Sequence, residues 1–562
     1  MVVGTYRSNE VGEEHALART IGNIKAANRK VVVDIPLGNL KPDNVNDLVA
    51  TVLRQQEENV RTLSDIVKDK TLGNPFHAIS FMQALEHEGL LSFNFGSFKW
   101  SWDVEKINAK YVTANVADLM TQKLQALQPE AQTVLEIAAC IGCEFDQRSL
   151  QLASKAFPSD FERLVIDKYT DTNHCIEATL GESLNEGVLR KVDSSTYCFV
   201  HDQIQAAAFC LVPEEDRQSL QARIGKSLVD LAVPNELESL LLVAIDLCNC
   251  DPSVFSTSPE DKVSLVSLNL RAAMQAMQNS AFVSAASYCT SGIEALALGG
   301  VSFVNHRQLY IDLYSLAAQA HYCRGDTDRM NECLDKMLCQ SQSLSLTIEE
   351  SFPLQMIRCK SLYVRHEYDE AWALAQRMLK DIGYKPFPSK VSMPYVVKEL
   401  LKTKRMVKKY KEKIIDLPRM DDENRLRAVK IFRALQTLTF QHDQSLFPIV
   451  VWRWLRWTLR YGISGVNCVA VASHSVILLS MGDYTNAYEL ARISESLLER
   501  LKPMDQMAYA KLSTDGFVRP WREPVQKLIS VSASNYEIGL STGDTEAAMW
   551  HVLYVAVFSY IG

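Results

Sequence analysis

The sequence predicts a mainly α-helical fold, and three observations support this prediction. Apolar residues recur every three or four positions over most of the chain, which is the spacing of one helix face. Two short strand-like runs flank a polar turn near residue 194, and two more lie within 1–36. From about residue 213 onward, small units with a Gly-Asp type turn recur between helices. We therefore expect a small α/β segment, helical domains with one hairpin, and a long helical arm.

Length and composition favour a globular protein of several domains. The chain has 562 residues, of which 47% are hydrophobic and 22% are charged, so it can bury substantial cores. Its formal net charge of -8 opposes nucleic-acid binding by the chain as a whole. The 13 cysteines are scattered through apolar stretches, which is typical of reduced thiols. Because no apolar run approaches about 18 residues and the first residues enter a strand, we expect a cytoplasmic protein without a transmembrane segment.

Residues 1–36 have the pattern strand, helix, strand. The strands are predicted at 1–5 and 31–35, and the helix at 15–27. A helix between two strands implies a parallel pair, but two strands alone make a poor sheet. We therefore interpret 1–36 as the remnant of an α/β core and expect the rest of its sheet upstream of Met1.

Residues 37–108 predict a small helical domain. Helices are expected at 42–53 and 62–70, with Thr62 as a capping residue, and a strand is expected at 100–103. The most distinctive stretch is 71–91, which begins T-L-G-N-P. Gly73 can take the positive φ that ends one helix, and Pro75 suits the first turn of the next. This stretch has two interpretations: a corner that approaches a flat ligand, or a plain helix–turn–helix corner without one.

The same stretch predicts one buried face on its helix. The face consists of apolar residues three positions apart: Phe76, Ile79, Met82 and Leu85.

Residues 109–212 predict a winged helix. Helices are expected at 115–127, 129–140, 147–156 and 176–185, and they are followed by a hairpin with strands at 187–191 and 196–200. His201 follows the hairpin and precedes the next helix, which Asp202 is expected to cap. Few Lys or Arg residues occupy the recognition region, so packing is favoured over DNA binding.

Residues 213–562 predict an irregular TPR-like α-solenoid. Each repeat unit combines a helix end, a turn and a new helix, and such units occur at 322–326, 365–371, 479–484 and 540–544. The first two units lie near the period of helical-hairpin repeats, and the others are less regular. A tryptophan-rich run at 449–459 predicts a buried helix.

A basic amphipathic helix is predicted within this arm at 397–415. Its apolar stripe comprises Val397, Leu400, Leu401, Val407, Tyr410 and Ile414, and lysines cover the rest. The pattern allows two interpretations: a membrane-surface or calmodulin-type helix, or a solvated helix of the repeat array.

Several short motifs, taken together and in order, resemble a known family. They are M-V-V-G-T-Y-R at 1–7, G-N-P at 73–75, F-V-H-D at 199–202, L-P-R-M-D-D-E at 417–423, G-D-Y at 482–484 and Y-E-I-G-L-S-T-G-D at 536–544. The chain resembles STAND-class AAA+-like ATPases, and in particular the predicted ATPase region of multi-sensor serine/threonine and hybrid histidine kinases. The resemblance implies four domains: 1–36 as the remnant of the NTPase core, 37–108 as a helical lid, 109–212 as a winged helix and 213–562 as the TPR-like arm.

The resemblance also implies which residues would contact a nucleotide. Arg7 would sense the γ-phosphate, Gly73 and Pro75 would lie against the adenine, and His201 would meet the β-phosphate of ADP. An arginine suits phosphate oxygens because it is always charged, and a histidine can donate a hydrogen bond to a diphosphate. The alternative is structural: Arg7 would be a surface residue after a strand, and His201 would simply precede a helix cap.

Three absences weaken the prediction of catalysis. The sequence contains no G-x-x-x-x-G-K-[ST] loop, no acidic strand end before Arg7 to hold Mg²⁺, and no H-R-D or D-F-G kinase motif. We therefore predict no catalytic residues, no metal ligands and no cofactor in this chain, although a complete family member would bind ATP or ADP.

The resulting hypothesis is a non-catalytic regulatory segment of a STAND-type signalling ATPase that is linked to a sensor kinase system. Its partners would be proteins bound along the solenoid, including kinase domains of the same system, and not nucleic acid. Two alternatives stay open. The first is an active switch ATPase whose P-loop half lies outside this sequence, and the second is a winged-helix nucleic-acid binder.

Overall fold

The structure is a computed structural model in which the chain divides into two compact units, Met1–Asp216 and Arg217–Gly562. The described residues are 4–6, 11–12, 17–18, 21, 24, 33, 35–94, 99–110, 124–125, 127–156, 172–255, 258–297, 302–344 and 346–561. The elements predicted at 1–5, 15–27 and 31–35, the helix predicted at 115–127, and Arg7 therefore lie wholly or mostly outside the described residues. Within the described part of the chain, no helix is both long and apolar enough to span a membrane.

The first part of the N-terminal unit is a helical domain with one β-hairpin. Its elements are α1 (Pro42–Leu53), α2 (Glu57–Thr71), α3 (Pro75–His87), β1 (Leu91–Asn94), β2 (Lys99–Trp102) and α4 (Val104–Lys110). Strands β1 and β2 pair antiparallel, with Leu91 opposite Trp102. The core is formed by apolar residues of α1, α2 and α3, together with Leu91 and Ile107.

Two predictions for this domain were wrong in detail. Helix α2 begins at Glu57 and not at Thr62, because Gln56 already has the extended backbone of a cap and Thr62 lies inside the helix. On α3 the buried residues are Ala78, Phe81, Met82 and Leu85, while Ile79 is 40% exposed. A strict three-residue repeat drifts around a helix of 3.6 residues per turn, so the three steps from Phe76 to Leu85 cannot stay on one face.

The second part of this unit combines helices with a small antiparallel sheet. Its elements are α5 (Pro129–Ile141), β3 (Glu144–Asp146), α6 (Gln147–Ala153), α7 (Thr172–Asn185), β4 (Leu189–Lys191), β5 (Thr196–Phe199) and α8 (Asp202–Leu211). The sheet order is β3-β5-β4, so β5 is central. The predicted hairpin is confirmed by the pairing of β4 with β5, whereas β3 was not predicted. In the turn, the Asp193 carboxylate accepts hydrogen bonds from the backbone N–H groups of Ser195 and Thr196, which lower its pKa.

Helices occupy the second unit to its end, as predicted. The α-helices are α9 (Glu214–Leu231), α10 (Pro234–Cys248), α11 (Pro259–Gln278), α12 (Phe282–Ala297), α13 (Arg307–Arg324), α14 (Thr327–Leu344), α15 (Ile348–Val364), α16 (Tyr368–Asp381), α17 (Met393–Tyr410), α18 (Glu423–Gln441), α19 (Phe447–Tyr461), α20 (Asn467–Ser480), α21 (Tyr484–Leu501), α22 (Met504–Ser513), α23 (Val525–Ser541) and α24 (Thr545–Ile561). Short 3₁₀ and π turns join several of them, including a π turn at Thr514–Val518.

Two large apolar cores of the helical unit meet at α15. Leu354 belongs to the core built from α10 to α15, and Phe352 belongs to the core built from α15 to α24. Trp454 is fully buried in the second core, which confirms the predicted buried helix. Its indole N–H donates to the Asn467 side chain over 2.9 Å.

The last helical hairpin, α23–α24, contacts parts of the same unit that are distant in sequence. The Tyr363 hydroxyl donates to Glu546 over 2.7 Å, and the Gln441 amide donates to the same carboxylate over 2.9 Å. The Ser280 hydroxyl donates to the carbonyl of Ser541. In a regular solenoid each repeat contacts only its neighbours. These longer contacts therefore make the arm irregular in its tertiary structure as well as in its sequence.

Candidate functional site

The N-terminus of α3 is built from the G-N-P segment. Gly73 has φ +80, and a Cβ at this position would lie 2.3 Å from the carbonyl oxygen of Leu40. The Asn74 side chain accepts hydrogen bonds from the N–H groups of Phe76 (3.0 Å) and His77 (3.2 Å), which makes it the cap of α3. Pro75 occupies the first helical position, where no N–H is needed. The predicted turn and helix start are confirmed.

The N-terminus of α8 is built from the residues that follow β5. His201, not Asp202, is the capping residue, because its Nδ1 accepts the N–H of Gln203 over 3.1 Å. Asp202 occupies the first helical position, and its Oδ1 lies 2.7 Å from His201 Nδ1. The same carboxylate oxygen accepts the Gln203 N–H over 2.9 Å. The side chains of His201 and Asp202 thus share the backbone N–H of Gln203 as donor.

These two helix starts contact each other within the N-terminal unit. The Phe76 ring stacks on the His201 imidazole, with ring centroids 4.1 Å apart and planes 12° from parallel. One residue after Phe76, His77 Nε2 donates over 2.7 Å to the side-chain oxygen of Gln203, which lies two residues after His201. We call this set of residues, 73–77 and 201–203, the helix-start contact. It joins residues about 125 positions apart through one aromatic pair and one hydrogen bond.

The two helix starts of this contact already have side-chain acceptors. The N–H groups at a helix start carry a partial positive charge, and here Asn74 accepts two of them on α3 while His201 and Asp202 accept one on α8. The first turn of α3 contains no acidic residue, and that of α8 contains Asp202. Helix starts of this kind bind phosphate and carboxylate groups in many proteins. Here the Asn74 amide oxygen and the Asp202 carboxylate occupy N–H groups that such an anion would use.

Of the four residues that the family resemblance implied for nucleotide binding, His201 stacks on Phe76, the residue that follows Pro75. Gly73 is buried, Pro75 is exposed, and the side chain of His201 is 27% exposed. Arg7 lies outside the described residues. Among described residues no cluster of His, Cys, Asp and Glu could hold a metal ion.

Sequence reasoning missed the pairing itself. Phe76 was assigned to a buried helix face, and neither His77 nor Gln203 was singled out. A sequence shows that an aromatic residue follows Pro75 and that a histidine begins α8. It contains no signal that these two residues stack.

No protein-family model matches the chain. A segment of 251 residues is 29% identical to hybrid signal transduction histidine kinase G of Dictyostelium discoideum. The matched segment covers 41% of this chain and 7% of the kinase, so the chain spans a small part of this relative.

One solved structure is similar over most of the chain. It is a signal transduction ATPase with numerous domains (STAND) that has a tetratricopeptide repeat sensor, from Pyrococcus horikoshii. The similarity covers 94% of this chain and 70% of that one, at 13% sequence identity. The TM-score is 0.31, which is too low to establish a shared fold.

Proposed function

We propose that this chain is a non-catalytic regulatory and protein-interaction segment of a STAND-type signalling ATPase that works with a sensor kinase. In this proposal residues 37–108 are the helical lid, 109–212 are a winged helix, and 213–562 are a TPR-like arm that binds proteins. The helix-start contact is the observation on which the proposal depends, because it joins the lid to the winged helix. The partial match to a hybrid histidine kinase supports the link to kinase signalling.

The assignment of a winged helix is supported by element order. Helices α5, α6 and α7 surround a three-stranded antiparallel sheet whose last two strands form the hairpin β4–β5. The contact of α8, which would follow the wing, with the start of α3 supports a junction between the proposed winged helix and lid. In a relative with bound nucleotide, a diphosphate near His201 would alter this contact. The winged helix would then move as a rigid body against the lid, and the arm would transmit the change to its partners.

A nucleotide-binding switch is the second candidate. It is favoured by the stack of His201 on Phe76, which directly follows the G-N-P segment. This chain, however, lacks the glycine-rich loop and lysine that supply most of the affinity for a triphosphate. Turnover of ATP would therefore depend on residues that are not in this sequence.

Nucleic-acid binding is disfavoured by charge. In a winged helix the helix before the wing would enter the DNA groove, and here that helix is α7. Its exposed side includes Glu177 and Glu182, and α7 contains no Lys or Arg. Two carboxylates facing phosphate would repel it.

Binding to a kinase tests the regulatory proposal. The full chain would be immobilised and the catalytic region of the Dictyostelium relative applied in biolayer interferometry, with an unrelated kinase domain as control. We expect micromolar binding to the first kinase only. Because the helix-start contact is proposed to influence the arm, Phe76→Ala should change the affinity for the first kinase at least threefold. Ile79→Ala, on the same helix, should leave this affinity unchanged. Equal binding of both kinase domains, or no binding, would refute the proposal.

A further inference from the structure

Helix α17 and the residues on either side of it form a strongly basic segment in an acidic chain. Residues 385–413 contain two acidic residues, Glu399 and Glu412, while the whole chain has a net charge of -8. The Lys and Arg residues of this segment are Lys385, Lys390, Lys398, Lys402, Lys404, Arg405, Lys408, Lys409, Lys411 and Lys413. Positive charge is therefore concentrated on one element.

The orientation of α17 is set by polar side chains on its buried side. Glu399 and Thr403 are the buried residues of the helix, and both contact Arg456 of α19. The guanidinium of Arg456 pairs with the Glu399 carboxylate and donates to the Thr403 hydroxyl over 2.5 Å. Leu400 and Val407 pack partly against the core on the same side. The opposite side of α17 consequently faces solvent.

Six cations occupy this solvent side without acidic partners. They are Lys398, Lys402, Lys404, Arg405, Lys408 and Lys409, all of which are exposed. Within the part of the chain that the structure describes, none of the six forms an ion pair, whereas the neighbouring Lys411 pairs with Glu489. At about 100° per residue the six cover roughly 160° of the helix circumference. Water and salt screen their mutual repulsion in part, and an anionic surface would relieve it further.

Three aliphatic side chains lie on the same solvent side. Met393, Val397 and Leu401 are spaced four residues apart and are 75%, 47% and 50% exposed. This spacing aligns them along one line on the helix surface. The sequence pattern had assigned Val397 and Leu401 to the packed stripe, and the structure corrects this, because the Arg456 contact turns Glu399 and Thr403 inward instead.

We propose that the solvent side of α17 binds an anionic phospholipid surface. A helix that lies in the plane of such a surface brings its cations to the headgroups and can insert aliphatic side chains between them. Lysines at the edges of the arc can reach the same plane because their long stems extend toward the headgroups. Basic clusters of four to eight residues on amphipathic helices are characteristic of anionic lipid recognition.

A lipid surface fits these features better than other anionic partners do. An acidic protein helix would contact a narrow strip and leave cations on the far side of the arc unpaired. A nucleic acid would neutralise the cations but would leave Met393, Val397 and Leu401 exposed to a polar backbone. A fluid lipid surface accommodates both the arc of six cations and the row of Met393, Val397 and Leu401. The arm would thus place a signalling segment at an anionic membrane face without crossing the membrane.

Vesicle co-sedimentation of the full chain tests this proposal. The vesicles would be pure phosphatidylcholine, or phosphatidylcholine with phosphatidylserine, each at low and high salt. The test variant is Lys404→Gln with Lys408→Gln and Lys409→Gln. The control variant removes the same charge from exposed lysines elsewhere: Lys155→Gln with Lys430→Gln and Lys527→Gln. A separate Leu401→Gln variant tests the aliphatic line.

We expect binding to phosphatidylserine vesicles that weakens with salt, and no binding to phosphatidylcholine alone. The test variant should bind at least tenfold more weakly, the control variant within twofold of the original chain, and Leu401→Gln severalfold more weakly. Circular dichroism and gel filtration verify that each variant is folded. Equal loss in the control variant, no binding to anionic vesicles, or tighter binding to polyglutamate or duplex DNA than to vesicles would overturn the proposal.

Discussion

At Gly73 two features exclude a side chain. Its φ of +80 is unfavourable for any residue with a Cβ, and that Cβ would meet the carbonyl oxygen of Leu40 at 2.3 Å. This oxygen belongs to backbone, so it cannot rotate away as the end of a side chain could. The Leu40 N–H also donates to the Gly73 carbonyl over 2.7 Å, which fixes the two segments together.

We therefore predict that Gly73→Ala destabilises the 37–108 domain by roughly 2 kcal/mol or more. Gly89→Ala is the matched control, because Gly89 also has positive φ, at +70, but nothing lies within 4 Å of its Cβ position. Hydrogen exchange of the α3 amides would report the effect. Equal acceleration of exchange in the two variants would show that the approach of Leu40 is unimportant.

His474 supplies a prediction about pH. It is buried in α20, and burial lowers its pKa from 6.5 to about 4. Burial also lowers the pKa values of His551 and His321. Because the folded pKa is depressed, the unfolded chain binds protons first as the pH falls. Stability is therefore fully present above about pH 6.5 and is lost progressively as the pH falls toward 4.

We predict that His474 contributes roughly 3 kcal/mol to this loss, since each pKa unit corresponds to about 1.4 kcal/mol. Urea unfolding at a series of pH values from 7 to 4 would measure it. His474→Asn should flatten the dependence, while the exposed His174→Asn should leave it unchanged. If the free energy of unfolding of the His474→Asn variant depended on pH as steeply as that of the original chain, His474 would not be responsible for the loss of stability.

At the scale of elements, the helix-start contact couples α3 to α8. A stacked aromatic pair contributes about 0.5–1.5 kcal/mol beyond its buried area. We predict a coupling energy of this size between Phe76→Ala and His201→Ala in a double-mutant cycle of unfolding free energies. The pair Ile79→Ala and His201→Ala should show none. Full additivity for Phe76 and His201 would contradict the contact.

The attachment of α17 to α19 gives a second prediction for elements. Removing one partner of a buried ion pair leaves the other charge unpaired and costs about 3–5 kcal/mol. Glu399→Gln should therefore destabilise the helical unit strongly, whereas Glu399→Leu with Arg456→Met should cost much less. Thermal unfolding of both variants provides the measurement. A double variant as unstable as the single one would show that packing, and not charge, is responsible.

These elements show what sequence could predict and what it could not. Gly73, Pro75 and the β4–β5 hairpin depend on local backbone chemistry, so their positions were predictable. The stack of Phe76 on His201 depends on two distant elements, and no periodicity reports it. On α17 the apolar stripe predicted the wrong orientation for Val397 and Leu401, because Arg456, which lies 57 residues after Glu399, decides which side is buried.

At the scale of the whole molecule, the chain forms two compact units. One contains the helix-start contact, and the other is an irregular helical arm whose last hairpin returns to earlier helices through Glu546. Burial raises the pKa of Glu546, which is consistent with its enclosed position between Tyr363 and Gln441. The role proposed above for this chain is one of contact and transmission.

Calorimetric titration of the full chain with ADP, accompanied by an ATP hydrolysis assay, tests the central claim most directly. We predict no hydrolysis above background and at most weak ADP binding, because the phosphate-binding loop is absent from the sequence. Micromolar or tighter ADP binding that His201→Ala weakens at least tenfold, and that His174→Ala leaves unchanged, would contradict the account and establish a nucleotide switch.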